Sequence, residues 1–125
     1  MTPRPKVLIV DDEPDYLAIA SRIAAKAGCS VIAAATALKG LELADKHSPS
    51  LILLDVGLPD LSGFEAARRM RRNPALSRAP IIFFTVRSEL DIVSEGLKLG
   101  AAGYVLKPFD PDDLLRRIKA AVFPA

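Results

Sequence analysis

Five short apolar runs punctuate the chain: VLIV at 7–10, VIAAA at 31–35, LILL at 51–54, IIFF at 81–84 and GYVL at 103–106. Each run is continuous rather than alternating, the pattern of strands covered on both faces, as in parallel sheets flanked by helices. Successive runs start 24, 20, 30 and 22 residues apart, which leaves room for one helix after each strand. The intervening segments carry helical spacing: Leu17, Ala20, Ala24 and Ala27 in the first, then Leu38, Leu41 and Ala44, then Phe64, Ala67 and Met70. Leu90, Val93 and Leu97 continue the series, and Leu114, Ile118 and Val122 complete it. One apolar face per segment predicts five amphipathic helices, so the whole reads as a βα repeat forming an α/β domain.

Breakers fall near the predicted element ends: Pro14, Gly28, the Ser48-Pro49 pair, Gly63, Pro74, Pro80, Gly100 and Pro108. Gly40 is different, because it falls inside the second helix, where glycine costs about 1 kcal/mol relative to alanine. The last helix has the clearest start. Asp110 is its expected N-cap, Pro111 its first helical residue, and Asp112 and Asp113 complement the helix dipole.

A length of 125 residues, half of them hydrophobic and 26% charged, suits one globular domain. That domain is expected to occupy residues 1–125, with a core over about 5–122. Disordered, collagenous and coiled-coil classes are excluded. With 17 basic and 15 acidic side chains the net charge is only +2, which nominates neither nucleic acid nor a membrane surface as partner. The densest basic run, Arg68, Arg69, Arg71 and Arg72, is expected to spread around helix three as a solvated face, and no specific nucleic-acid binding follows from it. Arg116, Arg117 and Lys119 lie off the apolar stripe of the last helix and are candidates for a protein-binding surface.

Cys29 is the single cysteine, so an intramolecular disulfide, a zinc ribbon and a CxxC site are all out of reach. It is expected to be a packed core residue. The apolar runs are four or five residues long, far short of the roughly 20 of a membrane helix. The opening MTPRPK has no signal-peptide pattern, and the expected location is the cytoplasm. His47, the one histidine, follows a predicted helix and reads as a C-terminal helix residue rather than a phosphodonor.

Ligands of parallel α/β sheets collect beyond the carboxyl ends of the strands. There the sequence places Asp11 and Asp12, Asp55, Thr85 and Lys107, with Thr36 after the second strand. Three carboxylates brought close repel one another, so the site either raises a carboxylate pKa or holds a cation. An all-oxygen set without histidine or cysteine suits Mg2+ at roughly 2.0 to 2.1 Å and not zinc. Lys107 and Thr85 add an ammonium and a hydroxyl around Asp55, a set shaped for a phosphoryl group. Asp55 is the natural nucleophile, since a carboxylate can form an aspartyl-phosphate.

Four motifs carry a family resemblance over about residues 5–122: VLIVDDEP at 7–14, LILLDVGLPDLSG at 51–63, IIFFT at 81–85 and GYVLKPF at 103–109. In this order and spacing they resemble the response-regulator receiver domain of two-component signalling. The resemblance implies a flavodoxin-like, doubly wound fold, with a five-stranded parallel sheet in the order 2-1-3-4-5 flanked by five helices. It implies a phosphorylatable switch rather than an enzyme, taking a phosphoryl group on Asp55 from a histidine kinase or histidine phosphotransfer protein and signalling through protein contacts. In that reading Asp12, Asp55 and the Gly57 carbonyl bind Mg2+ directly, and Asp11 does so mainly through water. Lys107 pairs with the phosphoryl group, Thr85 donates to it, and Tyr104 is the switch aromatic that turns inward as Thr85 moves. A cis Lys107-Pro108 bond is also implied.

Two positions depart from the family pattern. Val86 stands where a very small residue is usual and is expected to narrow access to Asp55, with Arg87 beside it able to reach the phosphoryl group. Ala102 and Gly103 replace the paired acids found in many transcription-factor receivers, which weakens the analogy with their phosphorylation-driven dimers. Two competing functions remain at this level. A haloacid-dehalogenase-type phosphatase also uses an aspartyl-phosphate with Mg2+, but its DxD motif is missing after Asp55. A receiver-like interaction module that takes no phosphate is opposed by the intact Asp11, Asp12, Asp55, Thr85 and Lys107.

Overall fold

A computed structural model of the protein describes residues 3–86 and 90–123. Arg87 and the side chains of Leu90 and Val93 lie outside the described residues. The elements alternate as the apolar runs predict: β1 (Lys6–Val10), α1 (Pro14–Lys26), β2 (Ser30–Ala34), α2 (Ala37–His47), β3 (Leu51–Asp55) and α3 (Gly63–Arg72). After a 3-10 turn at Pro74–Leu76 come β4 (Ile81–Thr85), α4 (Leu90–Lys98), β5 (Gly103–Leu106) and α5 (Pro111–Val122). The strands form one sheet in the order β2-β1-β3-β4-β5, and every neighbouring pair is parallel.

Strand parity explains why the apolar runs are continuous. Val7, Ile9, Leu51, Leu53 and Phe84 share one core with Leu114 and Ile118 of α5 and with Ala20, Ile23 and Ala24 of α1. Leu8, Val10, Ile52, Leu54 and Phe83 face the other way, into a core with Ala44 of α2 and Ala66, Ala67 and Met70 of α3. Successive side chains of a strand point to opposite faces, and both faces here are covered. Every residue of β3 and β4 and the last four of β1 are buried, whereas the edge strands β2 and β5 bury only Ala34 and Val105. Cover on both faces therefore describes the three inner strands, and the edges depart from it.

Local chemistry sets the helix boundaries. Asp110 caps α5 as expected, its side chain accepting from the Asp112 N–H at 3.1 Å. Gly40 has a packing reason to sit within α2: a Cβ there would lie 2.7 Å from Val10 Cγ2, so the helix can lie close on β1 only without a side chain. Thr36 does not join the crevice set, because its hydroxyl caps α2 by accepting from the Lys39 N–H at 3.2 Å. Asp60 completes that cap from another loop, taking the Ala37 and Leu38 N–H groups at 3.0 Å each. These bonds hold the Asp60 carboxyl below its ordinary pKa.

The solvated-face expectation fails for Arg71. Its guanidinium turns inward and donates to the carbonyls of Leu76, Ala79, Leu99 and Gly100 at 2.6 to 3.3 Å, tying α3 to the turns that precede β4 and β5. Its fork of donors meets carbonyls left over at the end of α4, a match that arginine can make and lysine cannot. Cys29 is buried in the core under α1 and α5, and His47 is the last residue of α2. The Lys107-Pro108 bond is cis.

Candidate functional site

Parallel pairing places the ends of β1, β3, β4 and β5 side by side, and the polar residues that follow converge there. Asp11 directly follows β1, with its backbone N–H bonded to the Ala34 carbonyl at 3.1 Å. Its Oδ1 accepts from the Glu13 N–H at 3.0 Å, which fixes the carboxylate against the turn into α1. Asp55 ends β3 in register with Phe84, and Thr85 ends β4 in register with Leu106. The Lys107 N–H donates to the Thr85 carbonyl at 2.8 Å, so β5 delivers the lysine to the same end of the sheet.

Asp11, Asp55, Thr85 and Lys107 are the charged and polar residues that are buried among the described ones. Lys107 Nζ lies 2.7 Å from Asp11 Oδ2, 3.2 Å from Glu13 Oε1 and 3.4 Å from Asp55 Oδ1. The ammonium also sits 4.4 Å from the centre of the Tyr16 ring, a cation–π contact. Burial alone lowers the Lys107 pKa, but the surrounding carboxylates, Asp11 first, outweigh it and hold the ammonium above its ordinary value. Asp55 shows the opposite balance. Burial pushes its carboxyl up to about 6 and Asp11 adds repulsion, while Lys107 and the Gly57 N–H pull it down.

Asp11, Asp12 and Asp55 each bring one carboxylate oxygen within 4.8 Å of the others, with Asp12 exposed at the mouth. One ammonium does not neutralise three carboxylates and the nearby Glu13. Asp11 Oδ2 is buried and has no hydrogen-bond partner, so its contact with Lys107 is a charge pair rather than an aligned bond. A cluster of hard oxygens with surplus negative charge fits a divalent cation of the magnesium class.

The remaining predicted residues surround this centre. Gly57 is exposed and has open space where a side chain would project. Val86 follows Thr85 and is 71% exposed. Tyr104 stacks on Phe83 at 5.8 Å, and its hydroxyl fills the place where a side chain on Gly96 of α4 would stand. The sequence reading missed Glu13 and Tyr16, the flanking partners of Lys107, although Glu13 stands next to the acidic pair. It also missed the role of Gly63 as a backbone contact of Asp55, which it treated only as a boundary.

Comparison with known proteins agrees with this arrangement. The profile of the response regulator receiver domain matches residues 7–119. The DNA-binding dual master transcriptional regulator RpaA of Synechocystis is 34% identical over 116 residues, which cover 93% of this chain and 48% of that protein. The chain thus spans about half the length of the first curated relatives it matches. The chemotaxis response regulator CheY4 of Vibrio cholerae superposes with a TM-score of 0.89 at 31% identity, covering 95% of this chain and 99% of that one. The receiver domain of the sensor histidine kinase PA1611 from Pseudomonas aeruginosa has a TM-score of 0.86 at 26% identity, with 96% and 98% covered. That structure has a magnesium ion coordinated in its active-site cleft. Motif order, sheet order and the acidic crevice converge with these matches, and the chain belongs to the family of response regulator receiver domains.

Proposed function

We infer that this receiver domain accepts a phosphoryl group on Asp55 from the phosphohistidine of a histidine kinase or phosphotransfer protein and passes the signal on through protein contacts. The observation that carries the reading is the buried Asp55 carboxylate, shared between Lys107 at 3.4 Å and a cluster of two further carboxylates. An Asp55 oxygen attacks phosphorus in line, the phosphorus–nitrogen bond of the donor breaks, and the imidazole leaves with the electron pair. Mg2+ held by Asp11, Asp12, Asp55 and the Gly57 carbonyl would supply positive charge to the phosphoryl oxygens. Lys107 offers a second positive charge, already fixed by Asp11 and Glu13, and Thr85 donates a hydrogen bond to the same group. Tyr104 follows Thr85 as the switch aromatic, passing the change to the surface of α4 and β5.

The reading is of a phosphoacceptor and not a phosphatase, since Asp55 is followed by Val56 and Gly57 with no second acid to protonate a leaving group. No helix among the described residues is long and apolar enough to cross a membrane. The cytoplasm, where phosphohistidine donors work, is the proposed location. Residues 1–125 act as one receiver unit with no sequence-specific nucleic-acid contact of their own. The test is intact-mass spectrometry with magnesium and acetyl phosphate. Wild type gains one phosphoryl adduct and Asp55→Asn none, because an amide is not a phosphoacceptor. An equal adduct on both proteins overturns the assignment.

A further inference from the structure

At the opposite end of the sheet from Asp55, the ends of α3 and α4 and the turns leading into β4 and β5 border an open cleft of about 820 Å3. Five cations line it, Arg68, Arg71, Arg72, Arg78 and Lys98, and among the described residues no carboxylate does. Five positive charges on one wall exceed the +2 of the whole chain. Some of this charge has a local purpose. Arg71 is spent on four backbone carbonyls, and Arg68 is held by Glu65 at 3.0 Å and by Glu95 at 2.8 Å. Arg72, Arg78 and Lys98 are exposed and make no ion pair with any described residue. The carbonyls of Leu99 and Gly100 at the end of α4 already bond to Arg71, so they do not account for the other three cations.

We propose that this cleft binds a small molecule carrying two or more phosphoryl groups. Three unpaired cations around one cleft favour an anion of matching charge, and a single phosphoryl group, with about two negative charges at most, leaves the third unmet. Two of the three unpaired cations, Arg72 and Arg78, are arginine, whose planar fork matches phosphate oxygens in pairs. Arg71 and Arg68 are committed to protein acceptors and frame the wall, so the donors left for a ligand are those of Arg72, Arg78 and Lys98. The volume lies within the range of small-molecule sites. The apolar parts of the lining, Pro80, Leu99 and Ala102, include no aromatic ring, so recognition falls on the phosphate chain rather than on a stacked base. The ligand would also reach the signalling face, because Arg68 bridges α3 to Glu95, the neighbour of Gly96 under Tyr104.

The experiment is calorimetric titration of the full chain with tripolyphosphate in magnesium-free, low-salt buffer. Wild type and Asp55→Asn should bind one equivalent with equal affinity, which separates this site from the phosphoacceptor crevice. The double variant Arg78→Glu/Lys98→Glu alters two exposed, unpaired side chains and so leaves the fold intact. It should weaken binding by at least about tenfold. Adenosine triphosphate binding more tightly than tripolyphosphate would identify a nucleotide as the source, and equal binding the phosphate chain itself. Undiminished binding by the double variant, loss of binding in Asp55→Asn, or no binding to wild type would each overturn the proposal. So would preference for a glutamate decapeptide, which would assign the cleft to an acidic protein segment.

Discussion

Gly63 begins α3 directly against the backbone carbonyl of Asp55. A side chain at Gly63 would overlap the Asp55 carbonyl oxygen and come within 2.9 Å of Val56 Cα, while the Gly63 N–H donates to the Val56 carbonyl at 2.9 Å. The phosphoacceptor is therefore held from behind by a helix start that tolerates no Cβ. Gly63→Ala should lower stability by about 1–3 kcal/mol, the usual range for overpacking, and slow phosphoryl uptake by displacing Asp55. Gly57→Ala is the matched control, since nothing lies within 4 Å of the added carbon. It should stay within about 0.5 kcal/mol of wild type. Denaturant midpoints and acetyl-phosphate rates of the two variants check this, and equal stabilities would show that α3 slides to make room.

The raised pKa of Asp55 makes the cation-free protein sensitive to pH. A carboxyl whose folded value is about 6 against an ordinary 3.8 is preferred protonated in the fold. Its contribution is complete below about 4 and is lost as pH rises through about 6. Ionised Asp55 thus opposes folding at neutral pH. Each pKa unit corresponds to about 1.4 kcal/mol, and screening at the open mouth brings the expected penalty to about 1–2 kcal/mol. In chelator, Asp55→Asn should melt above wild type at pH 7 and converge with it toward pH 4. Magnesium should raise the melting temperature of wild type more than that of the variant. Melting curves across this pH range decide it, and a constant difference would place the strain elsewhere.

Strand and helix count were legible because both follow from apolar patterning, the sheet order was legible through the family resemblance of the four motifs, and the crevice was legible because topology sends the residues after β1, β3, β4 and β5 to one place. What escaped depended on distances that periodicity does not encode. Gly40 looked like a defect until Val10 was seen beneath it, and Arg71 looked solvated because helical spacing says nothing about carbonyls on distant turns. Asp60 is similar. Its residue type suggests a loop, but only the fold brings it to the first turn of α2, more than 20 residues away in sequence.

Glu13 shares the Lys107 ammonium from the exposed rim, 3.2 Å from Nζ, with its side chain 53% exposed. It competes with an incoming phosphoryl group for the same charge and adds a negative charge at the mouth of a site that must admit anions. Exposed ion pairs are worth about 0.2–1 kcal/mol, so Glu13→Gln should speed uptake from anionic small donors by about 1.4- to 5-fold. Raising the salt concentration should narrow the difference. Initial rates at two salt concentrations test it, and a slower variant would mean that Glu13 positions Lys107 rather than competes for it.

Val86 stands directly after Thr85 with most of its surface exposed, so truncating it removes little packing. Its branched side chain is stiff at χ1 and cannot readily swing away from a donor approaching Asp55. In-line transfer demands a narrow approach, and each 1.36 kcal/mol of added barrier slows the step about tenfold. Gly57 acts differently on hydrolysis: it leaves open space beside the acyl phosphate but presents no side chain to position a water. The expected outcome is slow phosphorylation by small donors and a comparatively long-lived phosphorylated state. Val86→Ala should speed phosphorylation with no loss of stability. The measurement is the magnesium-dependent rate of wild type and Val86→Ala at one donor concentration; equal rates with both proteins folded would remove Val86 from the approach path and shift control of the rate to the charges around Lys107.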